Sequence, residues 1–387
     1  MSCINQVKTA QRKTVTAKIE HLAGCVIPQA IPLKRERVQA VRSKPQNYDE
    51  LYDFKTLFYD AFYTASRGTV TLIAPKLLNL QKIISSGTFQ FDDVTVSNKR
   101  LHKALGFDRL MLRTGFRPQV MRLKWQDLEL SIPVRDDGAK EFAGLNCLVT
   151  VSKNNRLQWI EDWAAYHVHR QGVEAILFFD NGSDAYSPGE IASTLSGIDG
   201  LKTFKVVSVP FKYGPNALGK RWARGKFLQT ALFNLARLSY LRESAATLIV
   251  DIDELVQTTG GKTVFDYTLG SLLGYVRIKG RHRYAISTKR QDAIRHKDHL
   301  HIDADDRGKP PKFCIVPSGP LRFFDWTVHR LYKYPFNKFS FHRCVSFDHF
   351  YAISTNWKFD RRWPAYGKNY VKINSSADQI ADMKALQ

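Results

Sequence analysis

Cysteine is scarce and scattered. Five residues, Cys3, Cys25, Cys147, Cys314 and Cys344, occur in 387, and no two form a CxxC pair. That pattern argues against a zinc ribbon and a disulfide framework, and it suits a reducing compartment such as the cytosol. The GxxxxGK[ST] phosphate loop is missing, which excludes P-loop chemistry. No apolar run approaches the roughly 20 residues a membrane helix requires. The basic N-terminal segment is not followed by a short apolar core, so a secretory signal is not expected. Internal repeats and low-complexity tracts are also absent. Acidic residues are few beside basic ones, 36 Asp and Glu against 58 Lys and Arg, for a formal charge of +22. A field of that sign attracts polyanions: nucleic acid, an anionic membrane face or phosphorylated substrates.

Part of the excess is local. Residues 1–45 hold nine Lys and Arg against Glu20 and Glu36. This reads as a basic, partly disordered arm over 1–46, a candidate contact for an anionic membrane surface. Residues 47–138 read as a β-rich accessory region. There Thr69–Ala74 is a buried strand stopped by Pro75, and Met121, Leu123 and Trp125 alternate. After Gln126-Asp127 the alternation resumes at Leu128, Leu130, Ile132 and Val134, which predicts a hairpin with a two-residue joint. Arg135-Asp-Asp-Gly138 reads as a polar linker.

From residue 139 to about 365 the rhythm becomes that of an α/β domain, with 366–387 as a tail. Leu145–Val151 is a continuous apolar strand of the kind covered on both faces. Asn154 or Asn155 is placed to cap the following helix, whose apolar positions recur at Leu157, Ile160, Trp163, Ala164, His167 and Val168. Gly172 is placed to end it, and Val173–Phe179 is the next strand. Strand, helix and strand form a βαβ unit and hence a parallel sheet. Lys205–Val209 is a third strand, a helix is expected over about 218–241, and Thr247–Val250 is a fourth strand.

Three clusters carry chemistry. Asp251-Ile-Asp253-Glu254 follows the fourth strand directly, where ligands bind in open α/β sheets. Paired carboxylates there suit Mg²⁺ or Mn²⁺, which bridges a diphosphate. Asp180 and Asn181, in Phe178-Phe-Asp-Asn-Gly-Ser183, end the second strand and can accept from a nucleotide base or ribose. Gly219-Lys-Arg-Trp-Ala-Arg-Gly-Lys226 offers four positive charges near a helix start, a diphosphate cradle. A nucleotidyltransferase would use a similar sheet, but Val151-Ser-Lys-Asn-Asn-Arg156 lacks the glycines of its phosphate loop.

In order and spacing, Val-Thr-Val-Ser-Lys-Asn-Asn155, Trp159-Ile-Glu-Asp-Trp-Ala-Ala-Tyr-His167, Gly172, Phe-Phe-Asp-Asn-Gly-Ser183 and Asp-Ile-Asp-Glu254 resemble bacterial glycosyltransferases of families 2 and 92. The resemblance implies a GT-A, Rossmann-like fold with a mostly parallel central sheet. It also implies inverting, metal-dependent transfer from a nucleoside-diphosphate sugar, a UDP-sugar first among the donors. A glycan or lipid-linked acceptor of bacterial surface polysaccharide synthesis would receive the sugar, at the cytoplasmic side and peripheral to the plasma membrane. Under the same resemblance Val151, Asp180, Asn181, Arg224 and Asp251 contact the donor, and Lys358 and Arg361 close over its diphosphate. Asp251, Asp253 and the late His349 hold Mn²⁺ or Mg²⁺. His329 falls in the acceptor region, ahead of which Lys312–Pro317 is a strand leading into an acceptor-side helix. The general base is not marked by a clear signature. Asp303, Asp305 and Asp306 fall in a Gly/Pro/Lys-rich loop, leaving Asp325 as the first candidate and Asp348 as the alternative. A catalytically inactive relative, or a nucleic-acid or polyanion-binding protein, is the competing reading, although no nucleic-acid module is recognisable.

Overall fold

The computed structural model describes residues 18–38, 47–215, 225–286, 293–306, 308–353, 355 and 370–372. It is an α/β protein built around a nine-stranded, mostly parallel sheet. In chain order these strands are β1 (Lys18–His21), β2 (Asn146–Ser152), β3 (Ala175–Asp180), β4 (Thr203–Ser208), β5 (Ala246–Ile249), β6 (Glu254–Thr258), β7 (Tyr275–Arg283), β8 (Lys309–Ile315) and β9 (Phe341–Phe350). Their spatial order is β1-β4-β3-β2-β5-β8-β7-β9-β6. The first five in that row are parallel, and β8 pairs antiparallel with both β5 and β7.

The strands are apolar throughout because both faces are covered. Leu148, Ile176, Phe178, Val206 and Leu248 face one core, shared with Ile160 and Trp163 of helix α1 (Leu157–Gln171) and Ile191 and Leu195 of α2 (Pro188–Ser196). Cys147, Val149, Val151, Leu177 and Phe179 alternate onto the other face, against helix α3 (Leu228–Leu238). Nearly every residue of α3 is buried, because Tyr59, Phe62 and Ile73 of the accessory region complete the core around it. A helix apolar all round is expected in that sandwiched position. Gly172 ends α1 in the left-handed conformation, φ 67°.

Residues 60–136 form two further sheets over a core that includes Leu57, Leu72, Leu112, Phe91 and Leu123, and Thr56–Phe58 pairs separately with Cys25–Val26. The hairpin joins Val120–Trp125 to Leu128–Pro133, with Trp125 opposite Leu128 and Gln126 at φ 51°.

Several expectations are corrected. Lys18–His21 of the basic arm is a strand paired with β4, while residues 1–17 and 39–46 lie outside the described residues. Arg135 and Asp136 form a short strand beside Asp60–Thr64 instead of a linker. Half-buried Arg135 meets Asp60, Glu20 and Ser239 and stacks over Tyr240, so its charge is neutralised inside the joint. The residue at the cap of α1 is Arg156, whose side chain does not cap the helix: Asn155 reaches Ser152 and Asn154 braces the turn at Asp184 and Ala185. The described part of the predicted 218–241 helix begins only at Leu228. No α-helix follows β8 before β9 among the described residues, only a short 3-10 turn over Pro335–Phe339.

Candidate active site

The chain goes from β2 to β3 and β4 on one side, and β5 lies on the other side of β2. Loops leaving the carboxyl ends of β2 and β5 therefore diverge and open a crevice, the position where open α/β sheets bind ligands. Asp251 and Asp253 stand at that point, in the short turn from β5 to β6. The turn is fixed on three sides. The Glu254 N–H donates to the Asp251 carbonyl, and the Asp251 N–H donates to the Glu254 carboxylate at 2.8 Å. His296 contacts the Ile252 carbonyl at 3.0 Å, and the Phe350 N–H donates to the Asp253 carbonyl.

That last bond brings in the end of β9. His349 is paired in register with Glu254 of β6 on one side and with His282 of β7 on the other, so the three share a face. His349 Nε2 lies 3.3 Å from Asp253 Oδ2. One ligand atom each from Asp253, Glu254 and His349 falls within 4.8 Å of the others. Two carboxylates and an imidazole are a sound donor set for Mn²⁺, with carboxylate oxygen alone also serving Mg²⁺. The separations are close to those that ligands of a common ion adopt, so these residues fit the metal.

Lys312 of β8, 2% exposed in its side chain, reaches the same centre. Its Nζ is 2.6 Å from Asp251 Oδ2 and 2.9 Å from Glu254 Oε2. The two carboxylates hold this ammonium in its charged form against the effect of burial. Burial raises the Glu254 carboxyl to about 8; Lys312 opposes that rise, and Asp251 and Asp253 add to it. Gln229, at the start of α3, donates to Asp251 and accepts from the Tyr213 hydroxyl. His282 stands edge-to-face with His349, centroids 5.1 Å apart, and its N–H donates to Asp306. Burial first, and then His349, lower the His282 imidazole to about 3.

Asp180 ends β3, 1% exposed, and accepts from the Ser183 N–H and hydroxyl. Burial raises its carboxyl. The Asn181 amide donates to the carbonyls of Val209 and Phe211, a structural staple between loops. Val151 is the penultimate residue of β2, with its side chain in the core. Beyond these ends lies a cleft of ≈ 670 Å³ lined by Asn154, Arg156, Trp159, Tyr186, Ile294 and Arg295, among others. Arg224, Lys358 and Arg361 lie outside the described residues.

The two base candidates stand elsewhere. Asp325 binds Arg237 Nη2 at 2.8 Å and His102 Nε2 at 2.9 Å. Arg237 is eight residues along α3 from Gln229, about 12 Å of helix axis from the residue that touches Asp251. Asp348 is adjacent to His349 in sequence, but strand alternation turns it to the opposite face. There it accepts from Arg281, Arg283 and Gln257. Both carboxylates are thus already engaged by guanidinium partners. His329 contacts the Pro311 carbonyl, one residue from Lys312.

Glu254, Lys312 and His282 were not singled out by sequence reasoning. Glu254 carried a signal, its place directly after the paired aspartates. Lys312 and His282 carried none, since only strand pairing brings them in.

Comparison with known proteins gives little. No family model matches the chain, and no curated protein matches it. Among solved structures it is similar to an active-site mutant of LgtC, at 16% identity and a TM-score of 0.25, over 44% of this chain and 57% of that one. It is also similar to galactosyltransferase LgtC in complex with donor and acceptor sugar analogues, at 15% identity and the same score, over 45% and 58%. The chain thus spans little more than half the length of the solved chains it matches.

Proposed function

We propose that the protein is a metal-dependent glycosyltransferase using a nucleoside-diphosphate sugar. The observation that carries this reading is the meeting of Asp253, Glu254 and His349 at the carboxyl-terminal switch point of a parallel sheet, with His349 Nε2 3.3 Å from Asp253 and Asp251 joined to Glu254 through Lys312. Asp251, Asp253 and His349 would hold Mn²⁺ or Mg²⁺, with Glu254 beside them. A bound divalent ion would offset the charge of the donor diphosphate.

The chain's own residues prepare the rest. Gln229 and Lys312 orient the Asp251 carboxylate, and Lys312 supplies a fixed positive charge within the acidic group. The cleft between Asn154, Trp159 and Tyr186 is of a size to take the nucleoside, with Asp180 at the adjoining strand end. Arg224, Lys358 and Arg361 remain proposed diphosphate contacts on their charge. Asp325 and Asp348 remain base candidates by proposal alone, each held in ion pairs. The inverting course, the UDP-sugar and a polysaccharide acceptor rest on the family resemblance alone.

A second reading has one specific observation in its favour. Lys312 already bridges Asp251 and Glu254, an arrangement that would also serve a relative whose cation is the lysine itself and which binds nucleotide without metal.

A donor screen with Mn²⁺ and Mg²⁺, scored by release of nucleoside diphosphate, separates the readings. Turnover of one nucleotide sugar that chelation abolishes, and that Asp253→Asn lowers by about two to three orders of magnitude, is expected. Undiminished turnover in chelator would leave the metal-free reading standing.

A further inference from the structure

The candidate metal site does not use the stretch between β8 and β9, yet among the described residues this stretch gathers the exposed phenylalanines. Among the described residues the exposed phenylalanines are Phe323, Phe336 and Phe339, at 76%, 57% and 83%, all within seventeen positions of one another. Residues 316–343 also carry exposed Arg322, Arg330, Lys333, Lys338 and Arg343. Their one acid, Asp325, is buried against Arg237. The two Phe-bearing loops are contiguous: Tyr334 packs on Phe324 at 5.2 Å and on Phe336 at 5.9 Å.

The exposed rings are held rigidly from beneath. Buried Asn337 donates to the carbonyls of Leu331 and Tyr334 and accepts from the Tyr275 hydroxyl. Arg277 and Arg237 bind the carbonyls of Asn337 and Arg322. The loop just before Tyr275 adds Leu272, 94% exposed, and is tied to this stretch by the Val316 N–H and the Gly274 carbonyl. Isolated exposed apolar side chains are ordinary, whereas rigid aromatics clustered among cations are not.

We propose that this surface, Phe323, Phe336 and Phe339 with Arg322, Lys333 and Lys338, docks on an anionic lipid bilayer. Aromatic rings enter the interface between headgroups and acyl chains, while the cations around them meet acidic headgroups. The absence of an exposed acid in 316–343 supplies the charge complementarity. Among the described residues no helix is long and apolar enough to cross a membrane, so attachment of this kind is peripheral.

The register fixes what this does to the site. Phe341 lies opposite Arg277 at one end of β7, and His349 opposite His282 near the other. On β7 the two positions are five steps apart, about 17 Å of strand, because β9 bulges between them. The carboxylates therefore stand toward the end of the sheet away from the docked surface. The proposal is independent of the catalytic reading and of the basic arm.

Co-sedimentation of the full chain with phosphatidylcholine vesicles, with and without about a third phosphatidylglycerol, tests it. Binding is expected on the anionic vesicles. Phe336→Ser combined with Phe339→Ser should weaken it by about tenfold or more, at high salt as well as low. Lys333→Glu with Lys338→Glu should weaken it chiefly at low salt. Both pairs are exposed, so circular dichroism should show an unchanged fold, and Phe323→Ser alone gives an independent arm. Wild-type binding by the phenylalanine variants would overturn the proposal. So would loss only on deletion of residues 1–17, or retention of single-stranded RNA, but not vesicles, by the same cations.

Discussion

His349 stands beside Asp253 because two constraints coincide: β9 pairs with β6 at Glu254, and the Phe350 N–H binds the Asp253 carbonyl. A nitrogen donor favours Mn²⁺ over Mg²⁺ in such a set. His349→Ala should therefore raise the Mn²⁺ concentration needed for half-maximal nucleotide binding by about tenfold or more, and narrow the preference for Mn²⁺. Calorimetric titration with each ion checks this; an unchanged requirement would reduce His349 to a packing residue. The proximity of Asp253 and His349 was expected from the sequence, the aspartate from its strand-end position and the histidine from the resemblance alone. Lys312 was not expected. Its ammonium enters the site through the antiparallel pairing of β5 and β8, a contact between residues some sixty positions apart. The surroundings of Asp325 and Asp348 were illegible for a related reason: a carboxylate's neighbours in space, here Arg237, Arg281 and Arg283, are invisible in the chain.

Among the elements, α1 was the most legible, since its apolar spacing, Gly172 stop and flanking strands all agree. It also carries a pH-sensitive link to β6. Fully buried His167 meets the Trp163 carbonyl with Nδ1 at 2.8 Å, while Nε2 accepts the Val256 N–H at 3.3 Å. That pattern requires a neutral ring with its proton on Nδ1. Burial lowers the imidazole to about 3. The unfolded chain binds a proton near the ordinary value of about 6.5, so between about 6.5 and 3 it takes up more protons than the folded one. Stability contributed by neutral His167 is thus complete above about 6.5 and falls with pH, approaching about 1.4 kcal/mol per unit for this group. Urea melts between pH 7 and 5 should show that slope reduced in His167→Gln; an equal slope in both would contradict the link. Elements that crossed region boundaries were less legible. Lys18–His21 lies in a basic arm with little apolar content, and only its pairing with β4 makes it a strand. The start of α3 at Leu228 is likewise set by packing between two sheets, since the residues before it are not distinguished by propensity.

At the scale of the whole molecule, the order β4-β3-β2-β5 places the crevice, and two layers of cover make it rigid. One layer is helical; the other is α3 backed by the β-rich accessory region, joined through Arg135, Asp60, Glu20 and Tyr240. On this frame the acidic turn faces one end of the sheet and the phenylalanine-rich surface lies toward the other. The central claim is that Asp251, Asp253 and His349 together form a metal site that works with a nucleotide. Titration of Mn²⁺ into the protein, followed by electron paramagnetic resonance with and without nucleoside diphosphate, tests it most directly. The account predicts one saturable Mn²⁺ site, tightened by the diphosphate and lost in Asp253→Asn while the thermal melt of the fold persists. Saturable Mn²⁺ binding left intact in Asp253→Asn, or none in the wild type with nucleotide present, would contradict it.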